Sequence, residues 1–148
     1  MRIAMGADHA GFALKEAVKV RLEAAGHDVT DVGTHSDESV DYPSFAADAA
    51  SLVAEGGADR GVIICGSGNG VAIVANKIRG IRAVNAHDVA EAGMARRHND
   101  INVLTLSGQR LNADEAGPIV DEFLEEGFEG GRHERRVDRI ADIERADA

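Results

Sequence analysis

Apolar and polar positions change period several times along this chain, and each change marks an element. Ile3 to Gly6 is a short apolar run that predicts a buried strand, with Asp8-His9-Ala10-Gly11 as the loop at its carboxyl end. From Phe12 the period becomes helical. Leu14, Val18 and Leu22 recur near 3.6 residues, Lys15, Lys19 and Arg21 fall between them, and Gly26 closes the segment. His27 to Val32 predicts a second strand and Gly33 to Asp41 a polar loop. Pro43 suits the first turn of a helix, which runs to about Glu55 and stops at Gly56-Gly57. Val62 to Cys65 predicts a third strand, Val71 to Lys77 a short helix, Ile81 to Asn85 a fourth strand and Asp88 to Arg97 a helix. Asn102 to Leu106 is the fifth strand. A helix from Asp114 to Glu125 follows, and beyond Gly127 to Gly131 a charged helix covers roughly Glu134 to Arg145.

Strands alternating with helices predict an α/β fold, a parallel sheet covered on both faces and joined by right-handed crossovers. Such sheets bind ligands beyond the carboxyl ends of their strands, near the point where strand order reverses. That rule gathers Asp8 and His9, the stretch Cys65 to Gly70, His87 and Asp88, and Arg110 at one edge. At 148 residues, with no internal repeat or linker, the chain predicts one domain spanning 1–148.

Composition narrows the function. Hydrophobic residues make up 44% and aromatics only 3%, so the core is aliphatic. A formal charge of −10 argues against a nucleic-acid or anionic-membrane partner, which needs a concentrated positive face. It leaves room for a small anion held by a few local arginines. One cysteine allows no internal disulfide. The N-terminus enters a strand too soon to be a signal peptide, and no apolar run approaches the ~20 residues of a spanning helix. A cytoplasmic protein is the expectation.

The densest chemistry is Gly61-Val62-Ile63-Ile64-Cys65-Gly66-Ser67-Gly68-Asn69-Gly70. A strand that runs into three alternate glycines predicts a tight strand–helix turn whose N–H groups form an anion-binding nest. A dinucleotide fingerprint would place its glycines after the first strand, and no Gly-Lys-Ser/Thr is present, so the loop suits a smaller ligand. A plain tight connection would also use these glycines. Cys65, at the lip of this nest, is a candidate acid or base beside an oxyanion site; a helix N-terminus one step away favours thiolate. A buried cysteine packing as a small apolar group is the ordinary alternative. Asp8 could accept from a sugar hydroxyl or simply cap the next helix. His9 could donate to phosphate or move protons. Arg96 and Arg97 suit the end of a helix dipole, and His98-Asn99 leaves that helix with two polar groups able to reach ligand oxygens. Arg132, Arg136 and Arg139 fall on one side of a helix, where an anion between them would relieve their repulsion. Glu134 and Asp138 could balance the same face. Arg110 is a further guanidinium suited to phosphate. His9, His87 and His98 do not show metal-ligand spacing. Together these groups suit proton transfer next to a carbonyl of a small phosphorylated ligand, work that needs no cofactor.

The order and spacing of Gly6-Ala7-Asp8-His9-Ala10-Gly11, Asp41-Tyr42-Pro43, Cys65 to Gly70, Ala75-Asn76-Lys77, Arg97-His98-Asn99-Asp100 and Arg132-His133-x-Arg135-Arg136-Val137 are specific. Over nearly its whole length the chain resembles the B-type ribose-5-phosphate isomerases, in the family that also holds the galactose-6-phosphate and allose-6-phosphate isomerases. The resemblance implies a Rossmann-like three-layer sandwich with a five-stranded parallel sheet. It implies a metal-free enediolate reaction on an aldose phosphate, with Cys65 as base, Ser67 assisting proton handling and His98 opening the sugar ring. One subgroup has glycine in place of Cys65 and glutamate in place of Val71; this chain matches the cysteine subgroup. Family roles then map onto Asp8 for sugar hydroxyls, Asn99 for the sugar near the reacting carbons, and His9, Arg132 and Arg136 for phosphate, with Arg110 as a further contact. Gly66, Gly68, Asn69 and Gly70 line the oxyanion nest. The resemblance also implies a homodimer or dimer of dimers whose sites are shared, with the C-terminal helix reaching a partner subunit. Hexose or tetrose phosphates remain alternative substrates, and a non-catalytic phosphosugar-binding module an alternative class.

Overall fold

Val62 and Ile64 face one helical layer while Ile63 and Cys65 face the other, so both sides of this strand are buried. That is why its sequence reads as an unbroken apolar run rather than an alternation. A computed structural model describes residues 1–147. The elements follow the order β1 (Arg2–Ala7), α1 (Phe12–Ala24), β2 (Asp28–Asp31), α2 (Tyr42–Ala54), β3 (Arg60–Cys65), α3 (Asn69–Asn76) and β4 (Ala83–Asn85). They continue with α4 (Val89–Asn99), β5 (Val103–Ser107), α5 (Ala113–Glu125) and α6 (Arg132–Ala146). The sheet is parallel throughout, in the order β2-β1-β3-β5-β4. Leu14, Val18, Ala92, Ile119 and Phe123 bring α1, α4 and α5 onto one face. Ala46, Ala50, Val71 and Ala75 bring α2 and α3 onto the other. The result is the expected Rossmann-like three-layer sandwich. Strand order reverses between β1 and β3, so the loops that follow those two strands stand side by side.

Most boundaries shift by a residue or two from expectation, and three of the shifts are instructive. β4 omits Ile81 and Arg82, because side-chain amides replace the ladder there: Arg82 N–H donates to Asn102 Oδ1 at 2.9 Å and Ala83 N–H to Asn76 Oδ1 at 2.8 Å. α4 keeps His98 and Asn99 inside its last turn and ends only where Asp100 enters the left-handed region at φ 46°. α6 begins at Arg132, two residues early, and buries only His133 and Val137. α5 is entered through a reciprocal capping box between Asn112 and Glu115.

Lys15 is not on a solvated face. It is fully buried, with Nζ 2.5 Å from Asp31 Oδ2 and 2.7 Å from Glu16 Oε1. Asp31 also accepts from Gly33 N–H at 2.9 Å. Burial raises the Asp31 carboxyl, but Lys15, the Gly33 amide and Lys19 outweigh it and hold it below the ordinary aspartate value. The pair ties α1 to the end of β2.

Candidate active site

The loop after β3 is fixed from behind by its carbonyls. Ser107 Oγ donates to Gly66 O at 2.6 Å, Asn85 Nδ2 to Ser67 O at 3.0 Å and Thr105 Oγ1 to Gly68 O at 2.8 Å. Gly68 holds φ 79°, and a Cβ there would run into Asn85 Oδ1 and lie 2.9 Å from the Leu106 carbonyl carbon. Glycine is required on both counts. With the carbonyls occupied, the N–H side is presented. Gly66, Ser67 and Gly70 amides have no partner among the described residues, and Gly70 belongs to the first turn of α3; Val71, the next residue, is fully buried. This is an anion nest built from backbone.

Cys65 lies under the lip of the nest rather than on it. Its residue exposure is 4%, and Sγ accepts from Gly68 N–H at 3.2 Å. The amide of Gly68, inside the same turn, thus supplies a donor for thiolate charge. Ser67 is exposed, with Oγ accepting from Asn69 N–H at 3.1 Å. Asn69 Oδ1 accepts from Asn85 Nδ2 at 2.8 Å.

Asp8 closes the turn before α1 rather than capping the helix: Oδ1 accepts from the N–H of Gly11, the N-cap residue, at 3.0 Å, and the side chain is buried. His9 Nδ1 accepts from Val40 N–H at 3.2 Å. An amide can only donate, so the ring carries its proton on Nε2 when neutral and presents a donor there. A cavity of about 390 Å³ at this edge is lined by Ser67, Asn69, His87, Ser107, Gln109 and Arg110. Asp88 is a helix cap, accepting from Glu91 N–H at 2.8 Å.

The other predicted groups lie elsewhere. α4 leaves the carboxyl edge at Val89 and rises about 1.5 Å per residue, which carries His98 back by roughly 13–14 Å. Arg82, at the amino end of β4, confirms the position by donating to Asn99 O at 2.9 Å. His98 stacks on His133 with ring centroids 4.2 Å apart, so α6 and its exposed Arg132 and Arg136 start at the amino edge too. One chain therefore brings together Cys65, Ser67, Asp8, His9 and Arg110, and separately His98, Asn99, Arg132 and Arg136. Arg96 is structural beyond its place in the helix dipole: it is buried, and Nη1 donates to Ile101 O at 2.5 Å and Asp100 Oδ1 at 2.8 Å.

The model of the Ribose/Galactose Isomerase family matches residues 3–140. The chain belongs to that family. It is 45% identical over 143 residues to ribose-5-phosphate isomerase B of Escherichia coli strain K12, covering 97% of this chain and 96% of the relative. The solved ribose-5-phosphate isomerase B of Clostridium thermocellum superimposes with a TM-score of 0.98 at 44% identity, covering 100% of each chain. That of Mycoplasma genitalium, with bound ribulose-5-phosphate, gives 0.93 at 39% identity, covering 97% of this chain and 96% of that one.

Within this family member, the residues that hold the nest in shape were not singled out from the sequence. Thr105 and Ser107 alternate on one face of an otherwise apolar strand, a signal that was there to be used. Asn85 ends a strand, and Tyr42 lies so close to Gly70 that a Cβ there would be 2.5 Å from the ring. A larger cavity, about 790 Å³, opens between α6 and the amino edge, where Ile81, Val84, Ile101, Ile140 and Ile143 make it mainly apolar. It includes Asn99 and none of the carboxyl-edge groups.

Proposed function

We propose that the protein interconverts D-ribose 5-phosphate and D-ribulose 5-phosphate. The observation that carries this reading is the placement of Cys65 Sγ beneath a loop whose outward amides have no other partner. In the open-chain aldehyde, Cys65 thiolate takes the proton from C2. The electron pair moves into a C1–C2 double bond, and charge builds on the C1 oxygen. The nest amides hold that oxygen; losing one such donor from a preorganised site costs on the order of 3 kcal/mol. A proton passes between the two oxygens with help from the Ser67 hydroxyl, and the cysteine returns its proton to C1, which leaves the ketose. His9 Nε2, Arg110 and the α6 arginines anchor the phosphate so that C1 and C2 stay beside the sulfur. The step needs a base and oxyanion donors, and this chain supplies both without a cofactor.

His98 opens the furanose by accepting the anomeric hydroxyl proton while a proton reaches the ring oxygen. It cannot do this for the Cys65 of its own chain, which lies at the far edge of the sheet. The working unit is therefore at least a dimer, in which His98, Asn99, Arg132 and Arg136 of one copy complete the nest of another. Ile140 and Ile143 on α6, 47% and 69% exposed, give the second copy an apolar surface to cover. The relatives named for ribose-5-phosphate isomerase B and the Mycoplasma structure with ribulose-5-phosphate support this substrate.

Two experiments test the reading. A panel of aldose phosphates of four to six carbons, assayed in both directions with and without chelator, is expected to favour ribose 5-phosphate. Turnover on none of them would reject the enzyme. Mixing inactive Cys65→Ala and His98→Ala proteins and refolding them together is expected to restore about a quarter of the wild-type rate, the statistical share of intact sites in a two-fold dimer. No recovery would place both groups in one chain's own site.

A further inference from the structure

His133 Nε2 is buried with no hydrogen-bond partner among the described residues. Its side chain is 7% exposed, and the atom lies 3.6 Å from Glu129 Oε2. An orphaned buried imidazole nitrogen is costly unless something occupies it. On its other side the ring stacks on His98, 7° from parallel. One donor atom from each of His98, Glu129 and His133 lies within 4.8 Å of the other two. Zinc–nitrogen and zinc–carboxylate bonds of about 2.0–2.2 Å put neighbouring ligands roughly 3–3.5 Å apart, so closing this set on one ion takes a contraction of about an ångström and a turn of the His98 ring out of its parallel stack on His133.

The geometry points to a transition-metal site at His98, Glu129 and His133, with an open fourth position, that inhibits the enzyme by taking His98 away from substrate. Two imidazoles and one carboxylate are the donor set that borderline ions such as Zn²⁺ and Co²⁺ prefer. The arginines nearby do not consume the carboxylate. Arg97 touches Glu129 only through Oε1, at 3.8 Å, and its closer partner is Glu126 at 2.8 Å. Arg132 and Arg136 oppose a cation, which makes the site one for an ion bound by coordination rather than by charge alone. The inhibition rests on the isomerase reading above; the binding does not.

The test uses the assembled, metal-stripped protein. ZnCl₂ titrated calorimetrically is expected to show one ion per chain. Co²⁺ is expected to give ligand-field bands of a low-coordinate nitrogen–oxygen site and to shift the NMR signals of both rings. Glu129→Gln, whose metal-free turnover should be unchanged, is expected to weaken zinc by at least about tenfold, the loss that even an outer partner of a metal ligand causes. Its zinc inhibition should weaken by the same factor. His133→Gln serves as the second variant, with circular dichroism reporting the fold of each. No saturable binding overturns the site. Equal zinc affinity in both variants, or thiolate charge-transfer bands from Cys65 with Co²⁺, places the ion elsewhere and also overturns it. Saturation without inhibition overturns the inhibitory role and counts against His98 in ring opening. If no sugar phosphate is turned over at all, calorimetry and the cobalt spectrum still decide the site.

Discussion

Gly68 N–H donates to Cys65 Sγ at 3.2 Å, so the thiol proposed as the base and the turn after β3 are joined directly. Cys65→Ala removes the base and keeps the turn, which is held from behind by Ser107, Asn85 and Thr105. Turnover is expected to fall by at least about 10²-fold, the usual share of a general base, with the circular dichroism spectrum unchanged. Normal turnover in the purified variant would take Cys65 out of the mechanism.

Gly68→Ala acts on the same turn from the other direction. The left-handed backbone alone costs about 1–2 kcal/mol for a residue with a Cβ, and contact with Asn85 and the Leu106 carbonyl adds to it. The denaturation midpoint and the turnover number should both drop. An alanine variant as stable as the wild type would show that the turn relaxes without loss.

His98→Ala separates ring opening from isomerisation. It is expected to slow turnover of cyclic ribose 5-phosphate far more than that of an aldose phosphate too short to close a ring. Parallel rate measurements on the two substrates check this, and equal losses would count against a ring-opening role.

Lys15→Ala leaves the buried Asp31 carboxylate with only Lys19, 3.4 Å away, and the Gly33 amide as partners, and should cost up to about 3 kcal/mol in chemical denaturation, the lower end of the loss when a buried pair is broken. The wild-type pair also sets a pH dependence. Asp31 has a folded-state value below its unfolded one of about 3.9. Its contribution is present in full above that value and is lost as pH falls through the lower, folded-state value. Stability measured from pH 6 downward should therefore fall more steeply in the wild type than in Lys15→Ala. Parallel curves would show that the pair is energetically silent.

Strand and helix order was legible because buried parallel strands and amphipathic helices write distinct periods, and β3 and α1 are plain examples. The burial of Lys15 was not legible, because its partner Asp31 lies sixteen residues on and only the fold brings the two together. Cys65 and its glycines were legible because they are contiguous. The Glu129–His133 spacing lies partly outside a helix, so its meeting with His98 depends on how α4 and α6 dock. The distance between Cys65 and His98 was masked for a similar reason: chemistry-bearing residues carry no record of which end of a sheet they reach until helix lengths are fixed.

In the proposed reading each copy carries two half-sites at opposite edges of its sheet, and this constrains how copies can associate. A head-to-tail row would always leave one unmatched half at either end, whereas a closed ring, the two-fold pair being the smallest, wastes none. Specific activity should then track the concentration at which copies find one another, and a folded but solitary chain would be silent.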